Sequence, residues 1–255
     1  MTEPVLLRRD DRGVVTISIN NPAKANRLGM ETMLAFCAAV ASVADDPGLR
    51  VLVITGEGAR AFMGGANLFE LAALDPVKAR GFITQVHLCS KVLRDLPVPV
   101  VARVNGYCLG AGLEIMLACD MRVASDNAVF GMPEVKIGLP SVVEAALLPQ
   151  LIGWGKTKIL LYTGENIDAA TALDWGLVEK VVSAADLDAA VAEWVDAIVA
   201  AGPKAIRIQK ELIREWEAMP VNDAIQAGIR ALSRGYQSDE PQRMIAATME
   251  RMKRR

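Results

Sequence analysis

The sequence predicts an α/β fold that becomes all helical towards its C-terminal end, and three patterns predict it. Continuous apolar runs closed by polar or glycine residues read as strands buried on both faces, as at Val51-Leu52-Val53-Ile54-Thr55 and Val98 to Val104. Stretches of helical period alternate with them at Met30 to Ala44 and Pro76 to Leu96. From about Asp186 onward only the helical period is left.

Taken in order, Val14 to Ile19 alternates as a strand does, and Met30 to Ala44 follows as a helix. The run Val51 to Thr55 ends at Gly56-Glu57-Gly58, a turn signal. The long helix from Pro76 leads to the strand ending at Val104, and Leu113 to Cys119 reads as a short apolar helix. In the helical part, Leu187, Ala190, Val191, Trp194, Val195, Ile198 and Val199 mark one face that ends at Gly202-Pro203. Further helices are expected from Lys204 to about Met219, Val221 to Arg234 and Asp239 to Arg251. The expected division is a core over residues 1–195 and a helical region over 196–255. No linker of flexible composition separates them, and helices this apolar are expected to pack against another subunit.

Composition narrows the function. The chain has 255 residues, 52% of them hydrophobic and 23% charged, with a formal net charge of −2. That length supports a large core, and that charge gives no general attraction for nucleic acid or acidic membranes. No apolar run reaches the roughly 18 residues of a membrane span, and the N-terminal residues resemble neither a signal nor a transit peptide. A cytoplasmic protein is expected. Cys37, Cys89, Cys108 and Cys119 lack CxxC spacing and sit in apolar surroundings, which reads as buried thiols in a reduced compartment. The basic run Arg251 to Arg255 reads as a solvated helix end.

Few residues are candidates for chemistry. Gly153-Trp154-Gly155-Lys156-Thr157 ends like a phosphate-binding loop, but Gln150 stands where that motif needs glycine, so Gly155 reads as a turn. Gly106, Gly110 and Gly112 lack dinucleotide-site spacing. His87 is the only histidine, which excludes a histidine-rich metal centre; without a nucleophile motif it reads as structural or superficial. Glu114 and Glu134 are different. Glu114 follows the glycine-rich Gly110-Ala111-Gly112-Leu113 and precedes apolar Ile115-Met116-Leu117, while Glu134 closes Phe130-Gly131-Met132-Pro133. A bare carboxylate in such a place is costly to bury, and two sharing a site could have their pKa values pushed apart. The turns at Gly64-Gly65-Ala66-Asn67 and Gly110-Ala111-Gly112 each open a helix, where unpaired N–H groups can hold an oxygen that gains negative charge. For the first turn an ordinary glycine turn capped by Asn67 is the alternative.

In this order the motifs resemble the enoyl-CoA hydratase/isomerase, or crotonase, superfamily over essentially the whole chain. Asn21-Pro22-Ala23-Lys24-Ala25-Asn26-Arg27-Leu28 resembles its adenine-side loop. Val51 to Gly56 followed by Phe62-Met63-Gly64-Gly65-Ala66-Asn67 resembles the first oxyanion segment, and Pro99 to Tyr107 leading to Gly110 to Glu114 and Cys119-Asp120 the second. Phe130 to Glu134 and Thr163-Gly164-Glu165 through Gly176-Leu177-Val178 complete the order. The resemblance implies a crotonase (ClpP/crotonase-like) fold of repeated β-β-α turns in a superhelix, a C-terminal helical trimerisation region, and a homotrimer or dimer of trimers.

It also implies an acyl-CoA thioester substrate, with CoA arriving as part of it and no separate cofactor or metal. The thioester oxygen would sit on the backbone N–H groups of Ala66 and Ala111. Glu114 and Glu134 would hold water, Glu134 giving the proton to Cα and Glu114 orienting the attacking water. Lys24, Ala25, Arg27, Gly64, Ala66 and Leu68 would lie along the CoA, although Lys24 and Arg27 read equally as solvated charges. Two glutamates favour reversible hydration of a trans-2-enoyl-CoA; double-bond isomerisation by Glu134 alone is the alternative, and an RNA-binding, non-catalytic member is a remoter one. The chain departs from the family pattern at Gly138-Leu139-Pro140-Ser141-Val142-Val143-Glu144, which is bulkier than the usual glycine-rich turn. Glu144 is an added carboxylate there, read as either a site residue or a helix N-terminal acid. Asn67 replaces the family's usual Asp, and the C-terminal helix lacks its usual aromatic residue.

Overall fold

The computed structural model describes residues 3–254. Ten strands form two sheets: β1 (Val5–Arg9), β2 (Val14–Ile19), β3 (Val51–Gly56), β4 (Ala61–Met63), β5 (Val100–Val104), β6 (Tyr107–Leu109), β7 (Met121–Ser125), β8 (Val129–Gly131), β9 (Asn166–Asp168) and β10 (Lys180–Val182). The helices are α1 (Met30–Ala44), α2 (Leu68–Leu71), α3 (Pro76–Asp95), α4 (Ala111–Leu117), α5 (Leu148–Thr163), α6 (Ala169–Trp175), α7 (Leu187–Ala200), α8 (Pro203–Trp216), α9 (Val221–Gly235) and α10 (Glu240–Lys253). Three short 3-10 helices add Pro22–Lys24, Pro133–Ile137 and Val143–Leu147.

One sheet runs β1-β2-β3-β5-β7-β10 and the other β4-β6-β8-β9. Each is parallel except at one edge, where β1 pairs antiparallel with β2 and β9 with β8. The chain feeds the two sheets alternately: β3 then β4, β5 then β6, β7 then β8. Helices follow each pair, so the repeated β-β-α unit implied by the resemblance is the observed one.

The apolar strands are covered on both faces, as their composition requires. Along β3, Leu52 and Ile54 enter the main core with Phe36, Phe62 and Phe130. Val51 and Val53 alternate to the other face, where they meet Leu187, Val191 and Val195 of α7. α7 is continuous across residue 195 and packs on the large sheet.

α8 and α9 close a small cluster around Leu212, Ala227 and Ala231. Charged contacts tie this region back to the core: Lys210 Nζ lies 2.6 and 2.5 Å from the two carboxylate oxygens of Asp120. Arg207 donates to the carbonyls of Asp46 and Leu49 at 3.1 and 3.0 Å. Val221, Ile225, Ile229, Leu232 and Met249 stay exposed, an apolar surface larger than scattered single residues would give. Among the described residues no helix is long and apolar enough to cross a membrane.

One expectation is corrected. The turn assigned to Gly155 falls at Gly153, whose φ of 75° kinks α5, and Gly155 itself lies within the helix. Glu144 stands in the first turn of its 3-10 helix, which packs against α3 and α4 and leaves the side chain 7% exposed.

Candidate active site

β4 ends at Met63, and the chain then crosses Gly64-Gly65 to Ala66. This crossing is stitched to the segment after β2: Gly64 N–H donates to the Ala25 carbonyl (2.9 Å), Leu28 N–H to Gly65 (2.8 Å) and Asn67 N–H to Leu28 (2.7 Å). Asn67 then caps α2 by accepting from Phe69 N–H, and its amide donates to Glu70, whose other oxygen accepts from Met30 N–H. The second crossing joins β6 to α4. Gly110 has φ +50°, a conformation that L side chains avoid. Gly112 packs so closely on Met63 that any Cβ would overlap it. That contact pins the start of α4 to the end of β4, three residues before Ala66.

The N–H groups of Ala66 and Ala111 donate to no protein acceptor among the described residues. The N–H groups of Gly64 and Asn67, on either side of Gly65-Ala66, are both engaged, so Ala66 is left unengaged in a loop pinned at both ends.

Glu114 stands one turn into α4 and is 3% exposed. Burial and then the negative charge of Glu134 push its carboxyl up to about 8, against the pull of the Val142 and Ala145 N–H groups. Glu134 lies in the 3-10 helix Pro133–Ile137, half-buried, with Oε1 filling the space a side chain on Gly110 would need. Burial raises its carboxyl too, while Ser141 Oγ donates to Oε2 at 2.8 Å and favours the charged form.

Ala66, Ala111, Glu114 and Glu134 all line one cavity of about 560 Å³, with Leu71, Phe82, Ile83, Val86, Leu139 and Val142 among its apolar walls. Elements far apart in sequence thus bring both crossings and both glutamates together. Two unengaged N–H donors beside two carboxyl groups can stabilise an oxyanion while moving a proton.

The other sequence candidates lie apart from that cavity. Lys24 is exposed, Ala25 is left-handed at φ 53°, and Gly64 is bonded to Ala25. Arg27 sits 5.3 Å above the Phe69 ring, and Leu68 is exposed at the start of α2. They form a strip beside Ala66 rather than part of the cavity wall. No group of three His, Cys, Asp or Glu side chains suited to a metal converges among the described residues.

Two neighbours of the site were not assigned from sequence. Ser141 carried no motif of its own, and its bond to Glu134 depends on the turn at Gly138. His87 was read as structural or superficial, yet its Nδ1 lies 2.7 Å from Glu144. With the two 57 positions apart in sequence, no local pattern links them.

A family model described as Enoyl-CoA hydratase/isomerase matches residues 9–255. A crotonyl-CoA hydratase of Syntrophomonas wolfei is 32% identical, covering 98% of this chain and 96% of that protein. A carnitinyl-CoA dehydratase of Salmonella enteritidis is 35% identical over 88% of this chain and 85% of its own length. The crystal structure of an enoyl-CoA hydratase from Bacillus anthracis superposes with a TM-score of 0.93 at 30% identity, covering 97% of this chain and 96% of that one. The chain therefore belongs to the enoyl-CoA hydratase/isomerase family and is an enzyme of the hydro-lyase type built on the crotonase fold.

Proposed function

We propose that the protein adds water reversibly across a trans-2-enoyl-CoA to give a 3-hydroxyacyl-CoA. One observation carries it: two unengaged backbone N–H groups and two carboxyl groups of raised pKa line the same apolar cavity. The thioester oxygen accepts from Ala66 and Ala111, which hold the charge that develops as the double bond becomes an enolate. Water sits between the glutamates. Burial keeps Glu114 protonated at neutral pH, where it orients the water. Glu134, its charged form favoured by Ser141, takes a proton from that water and delivers it to Cα. The water oxygen forms the new bond at Cβ, the π pair moves towards the thioester, and the proton closes the balance at Cα. The pair thus works with one proton on it, and activity should fall as pH rises through about 8, when that proton is lost.

The strip of Lys24, Ala25, Arg27, Gly64 and Leu68 is the proposed path for CoA, with Lys24 and Arg27 as phosphate contacts. A cytoplasmic homotrimer or dimer of trimers is part of the same proposal. Its support is the exposed apolar face of α9 and α10 together with four free thiols. No separate cofactor is needed by this chemistry.

The test is turnover of an enoyl-CoA in labelled water by wild type, Glu114→Gln and Glu134→Gln. Wild type should place one labelled oxygen on the product, and each variant should lose at least ~100-fold in kcat. Turnover of a 3-enoyl-CoA without oxygen uptake would replace hydration by isomerisation. Near wild-type rates in either variant would refute the roles of the pair.

A further inference from the structure

The 3-10 helix Val143–Leu147 packs across α3 and α4 and brings a third carboxyl, Glu144, towards Glu114. It is 7% exposed. Its Oε1 lies 2.7 Å from Nδ1 of His87, the sole histidine of the sequence, and its Oε2 is buried with no hydrogen-bond partner among the described residues. The chain enters this turn through Val143 at φ 37°, a left-handed conformation that costs a β-branched residue on the order of 1–2 kcal/mol. A buried carboxyl with one oxygen unpartnered, reached through strained backbone, lowers stability relative to a packed apolar side chain. Such a feature calls for a role other than stability.

The titratable groups facing Glu144 are few. From α3 they are His87 and Cys89, and from α4 Glu114. The Cys89 thiol is pushed far up, first by its hydrogen-bonded neighbour Cys37 and then by burial, and stays uncharged. No titratable side chain of α5 makes a hydrogen bond or ion pair to Glu144 among the described residues. Glu114 is therefore the one acid of the proposed machinery that Glu144 can act on.

We propose that Glu144, anchored by His87, is a positioning residue that keeps one proton on the Glu114 and Glu134 pair. A negative charge at Glu144 opposes a second one on Glu114, and its Coulombic push adds to those of burial and Glu134. Glu144 does not line the cavity. His87, half-exposed at the other end of the contact, keeps the carboxyl from being wholly unpartnered. The role rests on Glu114 belonging to the water-activating pair, as proposed above.

The experiment is the pH profile of kcat/KM, which reports the free enzyme, from about pH 6 to about pH 10 for wild type, Glu144→Gln, His87→Gln and the double variant. Glu144→Gln keeps the side-chain shape and removes the charge. Its alkaline limb should move down by roughly 0.5 to 1 pH unit, giving about three- to tenfold less activity above the limb and change within about twofold at the optimum. His87→Gln, a half-exposed position that does not threaten folding, should move the limb the same way. Without the imidazole neither carboxyl oxygen keeps its hydrogen-bond partner, and nothing holds the side chain in place beside Glu114. The double variant should move it no further than Glu144→Gln, because the two act as one unit. An unmoved limb in both single variants overturns the dyad, even where overall activity falls. A limb that moves in Glu144→Gln but not in His87→Gln removes His87 from it. Glu114→Gln, run alongside, separates the failures: if it is inactive while the limbs stay put, only the dyad is wrong, and if it is fully active, the pair itself is misassigned.

Discussion

From Ala111 to Leu117 every residue of α4 is buried, and its first turn is fixed by a close contact of Gly112 with Met63. The other glutamate wall, from Glu134 to Val143, leaves Val135, Ile137, Leu139 and Val142 exposed and is built of two 3-10 turns and a strained valine. We read the difference as a division of labour. The packed wall fixes the proposed oxyanion donor and the proposed proton-holding acid, where an error of an ångström is costly to rate. In the proposed reaction the looser wall meets the acyl group and tunes the second glutamate, where variation alters range and pH response more than chemistry.

The strongest way to break that contrast is at Ala111. Proline there occupies the first position of α4, where its fixed φ is tolerated and the N–H bonds nothing in the protein. Ala111→Pro should therefore fold while losing an oxyanion donor, with kcat down about 100- to 1000-fold. Circular dichroism and steady-state kinetics together check it. A folded protein with a wild-type rate would show that the packed wall supplies no oxyanion contact.

The second prediction concerns the cost of holding Glu114 in that wall. Its carboxyl titrates at about 8 in the folded protein against an ordinary value of 4.5. The native state thus binds the extra proton between those values, and stability must fall as pH rises through that window. Glu114→Gln removes the titration but leaves an amide to satisfy. Above pH 8 it should be more stable than wild type by roughly 2–3 kcal/mol, with little gain at about pH 5. Urea unfolding at the two pH values measures this, and a gain that does not depend on pH would contradict it.

The same contrast decides what could be read in the sequence. The strands at Val51 and Val100, the helices at Met30 and Pro76 and the carboxyl at Glu114 announce themselves because burial on two faces or one face leaves a period in the residues. The second sheet does not, since β4, β6 and β8 are three residues each, too short to show alternation. Helix limits differ by a few residues, α4 beginning at Ala111 rather than Leu113 because its first turn is small residues packed on β4. The pairing of His87 with Glu144 was illegible for another reason. It is made by tertiary packing of α3 on a turn whose sequence has no period at all.

The smallest effect is expected at Ser141, on the looser wall. Its hydroxyl donates to Glu134 Oε2 at 2.8 Å and so favours the charged form of a carboxyl that burial is pushing the other way. Ser141→Ala removes that support, so Glu134 holds its proton to higher pH. The sign follows directly: the acid limb of kcat/KM should move up by about half a unit to one unit, with about three- to tenfold less activity below it and little change on the alkaline side. Ser141 and Glu144 would then bracket the working range from opposite ends, one keeping Glu134 ionised and the other keeping Glu114 protonated. An alkaline rather than an acid shift in Ser141→Ala would mean that the hydroxyl serves Glu114 instead, and the two walls would no longer be separable.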